Sequence, residues 1–105
     1  MRVLVLNASP RGESSHTIVV TRAFVSGFPE GTEIETLELR KLDIRPCLGC
    51  LACWTKTPGK CIQNDDMQKV YAAIDRADVI VESFPLYFYG LPGTLKTMTD
   101  RCLPY

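Results

Sequence analysis

The sequence contains no hydrophobic run near the roughly 20 apolar residues needed to cross a bilayer; the longest near its start is Val3-Leu4-Val5-Leu6. That run is also too short for the apolar core of a secretion signal. Neither sign of charge is in excess, since 12 basic side chains meet 12 acidic ones. A balanced surface attracts a polyanion weakly, so no nucleic-acid partner and no polybasic membrane contact is expected. Internal repeats, low-complexity tracts and charge blocks are absent too. Two phosphate signatures are missing: there is no G-x-x-x-x-G-K-[ST] and no G-x-G-x-x-G. Their absence excludes a Walker loop and speaks against an ordinary dinucleotide fingerprint. Histidine is nearly absent, His16 being the only one.

What is present is 105 residues, 46% of them hydrophobic, with five cysteines. That length supports one α/β domain and leaves no room for a second. An odd number of cysteines does not suit a disulfide framework. With nothing to signal export, the expected compartment is cytoplasmic, where thiols serve metal, cluster or redox roles, or none.

Val3 to Leu6 reads as a strand covered on both faces of a parallel sheet. Asn7-Ala8-Ser9-Pro10-Arg11-Gly12 forms a turn, and Ser14 or Ser15 caps a helix whose apolar positions include Val20, Ala23, Phe24 and Phe28. Thr32 to Leu39 is β-rich and reads as an edge strand. Residues 40–64 are irregular and hold four of the five cysteines. Asn64-Asp65-Asp66 then precedes Met67, Val70, Tyr71 and Ile74, the face of an amphipathic helix with acids at its positive end. Val79-Ile80-Val81 is a second buried strand. Pro85 to Gly93 is an aromatic loop, and a last helix places Leu95, Met98 and Cys102 on one side. Right-handed crossovers put the three strands in the parallel order 2-1-3. Three strands are few for a doubly wound sheet, and the third would be an uncovered apolar edge. The expectation is therefore an N-terminal portion, or a chain that another covers.

A strand, a tight turn and a helix N-terminus together make an anion site, because free amides and the positive helix end converge there. Ser9, Ser15 and Thr17 add hydroxyls, Arg11 a cation, and the backbone of His16 a further amide. That set suits a terminal phosphomonoester; ordinary capping of a polar turn would use the same residues. Ligands of open α/β sheets sit beyond the strand carboxyl ends where strand order reverses, here between the first and third strands. The loop with Pro85, Leu86, Tyr87 and Phe88 lies there and suits a flat heteroaromatic ring, although turn packing or an oligomer contact would also use its rings. Cys47, Cys50, Cys53 and Cys61 spell C-x2-C-x2-C-x7-C within an insert at about 46–62. Three thiolates at that pitch can wrap one face of a cuboidal cluster and the fourth can close it. A four-thiolate zinc site and simple reduced thiols are compatible with the same spacing. Cys102, on a helix face, reads as core.

Together, Ala8-Ser9-Pro10-Arg11 with Ser15 and Thr17, Asp65-Asp66-Met67, Ala77-Asp78, Ser83-x-Pro-Leu-Tyr-Phe, Leu95-Lys96 and Asp100-Arg101 resemble the NADPH-dependent FMN reductase family of flavodoxin-like proteins. That family includes quinone reductases, azoreductases and iron–sulfur flavoproteins, and the resemblance runs from residue 2 to about residue 104. It implies an FMN phosphate ringed by Ser9, Arg11, Ser15, His16 and Thr17, and an isoalloxazine lined by Pro85, Leu86, Tyr87 and Phe88. It implies NAD(P)H as electron donor, a small-molecule acceptor or redox partner protein, and a homo-oligomer. Two further strands and helices are implied beyond the first three strands. For the four cysteines it implies a [4Fe–4S] cluster passing electrons to FMN, and for Asp100 and Arg101 a structural role near a subunit contact. Three functions follow: an FMN-dependent NAD(P)H oxidoreductase, an iron–sulfur flavoprotein electron carrier, or a non-catalytic truncated or redox-sensing homologue.

Overall fold

The computed structural model describes residues 1–105 throughout. Its first strand, β1 (Arg2–Asn7), is buried from Val3 onward. β2 (Glu33–Glu38) and β3 (Val79–Ser83) flank it in the order β2-β1-β3, both parallel to it. Val5 pairs with Thr36 on one side and Val81 on the other. The expected three-stranded α/β sheet of order 2-1-3 is thus present. β1 is continuously apolar because both of its faces are covered. Leu4 and Leu6 join Leu39, Met67, Val70, Ala73, Leu95 and Met98 in the main core, while Val3 and Val5 are buried on the opposite face.

α1 (His16–Val25) begins where Ser15 Oγ accepts the Ile18 amide at 3.2 Å. Its buried face is Ile18 and Thr21, with Val25 and Phe28 half-buried. Of the apolar positions singled out in the sequence, Val20 and Phe24 are 70% and 59% exposed and Ala23 is exposed too, so they do not form the packed face. This helix is apolar on two sides, and only one packs on the sheet.

α2 (Met67–Arg76) buries Met67, Val70 and Ala73, with Tyr71 and Ile74 half-buried, as its spacing predicts. Asp66 makes no side-chain cap. Asp65 Oδ1 accepts the Met67 amide at 3.1 Å instead, and Asp66 Oδ2 accepts the Asp43 amide at 2.8 Å. β3 is less buried than expected. Val79 and Val81 are half-buried while Ile80 and Glu82 are exposed, because β3 has a hydrogen-bonded neighbour on one side only. α3 (Gly93–Asp100) buries Leu95 and Met98 and ends earlier than expected. Residues 101–104 form turns, which leave Cys102 half-buried with its thiol toward the Met98 carbonyl. No helix is long and apolar enough to cross a membrane.

Candidate functional site

The two loops singled out by the sequence leave the carboxyl ends of adjacent strands and are tied together. The Ala8 amide donates to the Ser83 carbonyl at 2.8 Å, and the Thr94 hydroxyl donates to the Ala8 carbonyl at 3.4 Å. Beneath them, Thr21 Oγ1 and Ser83 Oγ share a buried hydrogen bond of 2.6 Å that joins α1 to β3.

Within the first loop the Ser9 amide donates to Asn7 Oδ1 at 3.1 Å, and Ser9 Oγ accepts the Arg11 amide at 3.3 Å. The buried Ser9 hydroxyl keeps its own proton free to donate. Ser15 is differently placed: its hydroxyl donates to the Gly12 carbonyl at 2.9 Å and caps Ile18, so both functions are committed to starting the helix. The amides of His16 and Thr17 are among the first four of α1, which no helical carbonyl can satisfy. Arg11 is exposed, and its guanidinium joins none of the chain's ion pairs. Gly12 lies at φ +54°, and a Cβ there would stand 2.5 Å from Glu38 Oε1 and 2.6 Å from Arg40 Nε. Those two atoms end flexible side chains that can move aside, so it is the left-handed backbone that favours glycine at this point. A free hydroxyl, two helix-end amides and an unpaired cation form a set of donors suited to a phosphate.

The second loop is a tight reversal. Tyr87 and Gly90 exchange amide-to-carbonyl hydrogen bonds of 3.1 and 3.0 Å, with Phe88 at φ +43° and Tyr89 at φ +62°. Bulky residues in the left-handed region store about 1–3 kcal/mol each. No pattern in the sequence signals this, because such turns favour asparagine and glycine. Phe88 and Tyr89 are 97% and 92% exposed, Leu86 and Tyr87 are exposed, and Pro85 is half-buried. The loop thus offers a strained, apolar shelf beside the first loop.

The four cysteines line one apolar hollow together with Leu48, Leu51, Ile62 and Arg101. Gly49 and Leu51, at φ +66° and +57°, curl the triplet, and the Gly49 amide donates to Cys47 Sγ at 3.4 Å. The loop that follows doubles back, with the Gly59 amide on the Cys53 carbonyl at 2.8 Å, and so returns Cys61 to the triplet. All five cysteines are free thiols. No three His, Cys, Asp or Glu side chains converge on a single-ion site. Ligands of a multi-iron cube stand farther apart than the four sulfurs around one zinc ion, which sit about 2.3 Å from it. The four thiols thus stand as a group of potential ligands around one hollow.

Asp65 and Arg101 clamp this insert to the end of α3. Arg101 Nη1 donates to Asp65 Oδ2 at 2.8 Å and to the Arg45 carbonyl at 2.7 Å, while Nη2 donates to Asp65 Oδ1 at 3.0 Å. The Trp54 indole N–H donates to the Leu103 carbonyl at 2.9 Å, a second tie. Arg101's bonds hold the Asp65 carboxyl well below the usual carboxylate range despite burial, helped by the Arg45 and Met67 amides. Asp65 in turn raises Arg101 above its ordinary value. Burial, assisted by Cys61, pushes the Tyr71 phenol up to about 12, and that hydroxyl donates to the Arg101 carbonyl at 2.5 Å. Arg101 is fully buried inside this chain, so its structural role is met here and not at its surface. Sequence reasoning missed Asn7 and the Asp65–Arg101 pairing. The pair is separated by 36 positions, and only tertiary structure joins it.

The sequence pattern of the NADPH-dependent FMN reductase family matches residues 1–104. An iron–sulfur flavoprotein of Methanocaldococcus jannaschii is 36% identical over 104 residues, covering 99% of this chain and 53% of the relative. Among solved structures, the NAD(P)H:quinone oxidoreductase from Methanothermobacter marburgensis superposes with a TM-score of 0.72 at 25% identity, over 97% of this chain and 52% of that one. An FMN-dependent NADH-azoreductase from Bacillus anthracis, solved with FMN, shares the fold at a TM-score of 0.63 and 22% identity, over 98% and 56% of the two chains. The chain spans about half the length of the curated relatives it matches. With a 2-1-3 parallel sheet, a donor-lined first loop and a pattern match along nearly its whole length, the chain belongs to the NADPH-dependent FMN reductase family.

Proposed function

We propose that residues 1–105 are the N-terminal part of a flavodoxin-like FMN-binding domain, and that the protein is an NAD(P)H-dependent oxidoreductase. One observation carries this reading: the donor-lined loop at Ser9–Thr17 and the apolar shelf at Pro85–Phe88 lie side by side, joined through the Ala8–Ser83 hydrogen bond. Ser9, Arg11 and the amides of His16 and Thr17 would hold the FMN phosphate, with Ser15 fixing the helix that presents them. Pro85, Leu86, Tyr87 and Phe88 would back the isoalloxazine. Bound FMN would supply hydride acceptance from NAD(P)H and delivery of electrons to a quinone, a flavin or a similar small acceptor. The protein's share is position, charge complementarity and exclusion of water. No side chain is assigned as acid or base. A cytoplasmic location and a homo-oligomer are proposed with it, as the family resemblance implies.

Replacing Ser9 by aspartate tests the phosphate claim. The new carboxylate still accepts the Arg11 amide but faces the phosphate dianion, so FMN should bind more than about tenfold more weakly. Riboflavin, without the phosphate, should bind nearly as in the wild type. Fluorescence titration of both flavins reads this: unchanged FMN binding would defeat the phosphate assignment, and equal loss of both would show that the substitution damages the fold instead.

A second feature extends the reading to an iron–sulfur flavoprotein electron carrier. Cys47, Cys50, Cys53 and Cys61 line one hollow, and the relative from Methanocaldococcus jannaschii is named an iron–sulfur flavoprotein. The four thiolates would hold a [4Fe–4S] cluster, supplying one-electron transfer to FMN or a redox partner protein.

A further inference from the structure

Arg101 is 1% exposed, and its guanidinium is not fully used. Asp65 grips it end-on through both terminal nitrogens, and the Arg45 carbonyl takes a further N–H. Its Nε–H is buried and has no partner. A guanidinium carries five donors in a fixed fork, so an end-on grip leaves the Nε edge for something else. Arg101 also lines the hollow that all four cysteines line. Of the four cysteines, Cys61 is the one whose sulfur lies close enough to act on the guanidinium. A buried donor and a buried cation thus share a wall with four thiols. The clamp between the insert and α3 needs neither the Nε–H nor the hollow.

We propose that Arg101 presents its Nε–H to sulfur beside Cys61 in a cluster held by the four cysteines, and that its charge favours the reduced state of that cluster. The inference rests on the four-cysteine reading above. A four-thiolate cluster is anionic, and reduction adds one electron and one more negative charge. A buried cation and an N–H···S hydrogen bond both stabilise the more negative state, and so raise the reduction potential. Arg101 keeps its proton throughout, and the electron comes from the mediators in a titration or from flavin in turnover.

The experiment is an equilibrium redox titration of the intact protein, purified anaerobically, with iron and sulfide analysis and melting curves alongside. Asp65→Asn/Arg101→Gln replaces the ion pair by a neutral hydrogen-bonded pair. At a fixed poise its ratio of reduced to oxidised cluster should fall about tenfold, equivalent to about 59 mV for a one-electron couple. Asp65→Asn alone keeps the cation and removes its counter-charge, so its ratio should rise. A purely structural clamp cannot move the two variants in opposite directions. Wild-type ratios in both, with cooperative melting retained, would overturn the proposal while leaving the cluster in place. If the double variant fails to melt cooperatively, Asp65→Asn decides, and an unmoved or lowered ratio overturns the proposal. Wild-type protein without iron and sulfide would overturn the four-cysteine reading and this inference with it, leaving the FMN assignment to its own test.

Discussion

Asp65 accepts two backbone amides and a guanidinium with a carboxylate that has no exposed surface. Its acid form is disfavoured in the native state, whereas the unfolded chain binds that proton near the ordinary value of about 3.9. The pair therefore stabilises the protein fully above about pH 4 and stops doing so as pH falls below that, through the depressed native value. Acid melting should show the wild type losing stability across that range. Asp65→Asn should flatten the profile and lower stability at neutral pH by about 3 kcal/mol, the low end for an uncompensated buried charge, since the amide keeps some of the hydrogen bonds. An acid profile unchanged by the substitution would count against this account. Residues of this kind are hard to read in sequence. Asp65 reads as one of three cap-competent residues and Arg101 as part of a family pattern, and neither signals that it will be buried opposite the other. Ser9, Arg11 and Thr17 were legible because local geometry, a strand followed by a turn and a helix, already collects them.

At the scale of elements, β1 and α2 were the most readable. A continuous aliphatic run can be covered only on both faces, and the Met67, Val70, Tyr71, Ile74 spacing describes one helix face. α1 was misread because it is apolar on two sides. Periodicity located an apolar stripe through Val20 and Phe24, but the sheet is met by Ile18 and Thr21. Val20, Phe24, Val81 and Phe84 line an open depression beside the free edge of β3. An apolar strand with an unpaired edge pairs with another copy unless something blocks it. This chain alone should therefore self-associate at micromolar concentration. Ile80→Lys, at an exposed position of β3, should suppress that association without lowering the melting temperature. Sedimentation of the two proteins checks this, and a wild type that stays monomeric would remove the edge from consideration.

For the whole molecule, the two loops at the sheet's end and the cysteine hollow are separately built. The loops stand on the carboxyl ends of β1 and β3, whereas the hollow hangs from Asp65, Arg101 and Leu103. The two sites should thus be separable by mutation. Cys50→Ser, at an exposed cysteine, should remove iron from anaerobically purified protein yet leave FMN uptake and melting close to wild type. Iron analysis beside flavin fluorescence reads both, and joint loss of iron and flavin would show that the sites fold as one unit. The sequence by itself determined which segments become strands and helices, their parallel order, and the two loops at the sheet's end, because each depends on neighbours within a few residues or on the handedness of a crossover. Only the tertiary structure decided which side of α1 is buried, that Phe88 and Tyr89 adopt left-handed backbone, and that Arg101 reaches across to Asp65 beside the cysteines. Those outcomes depend on contacts between distant segments, whose energies no local pattern records.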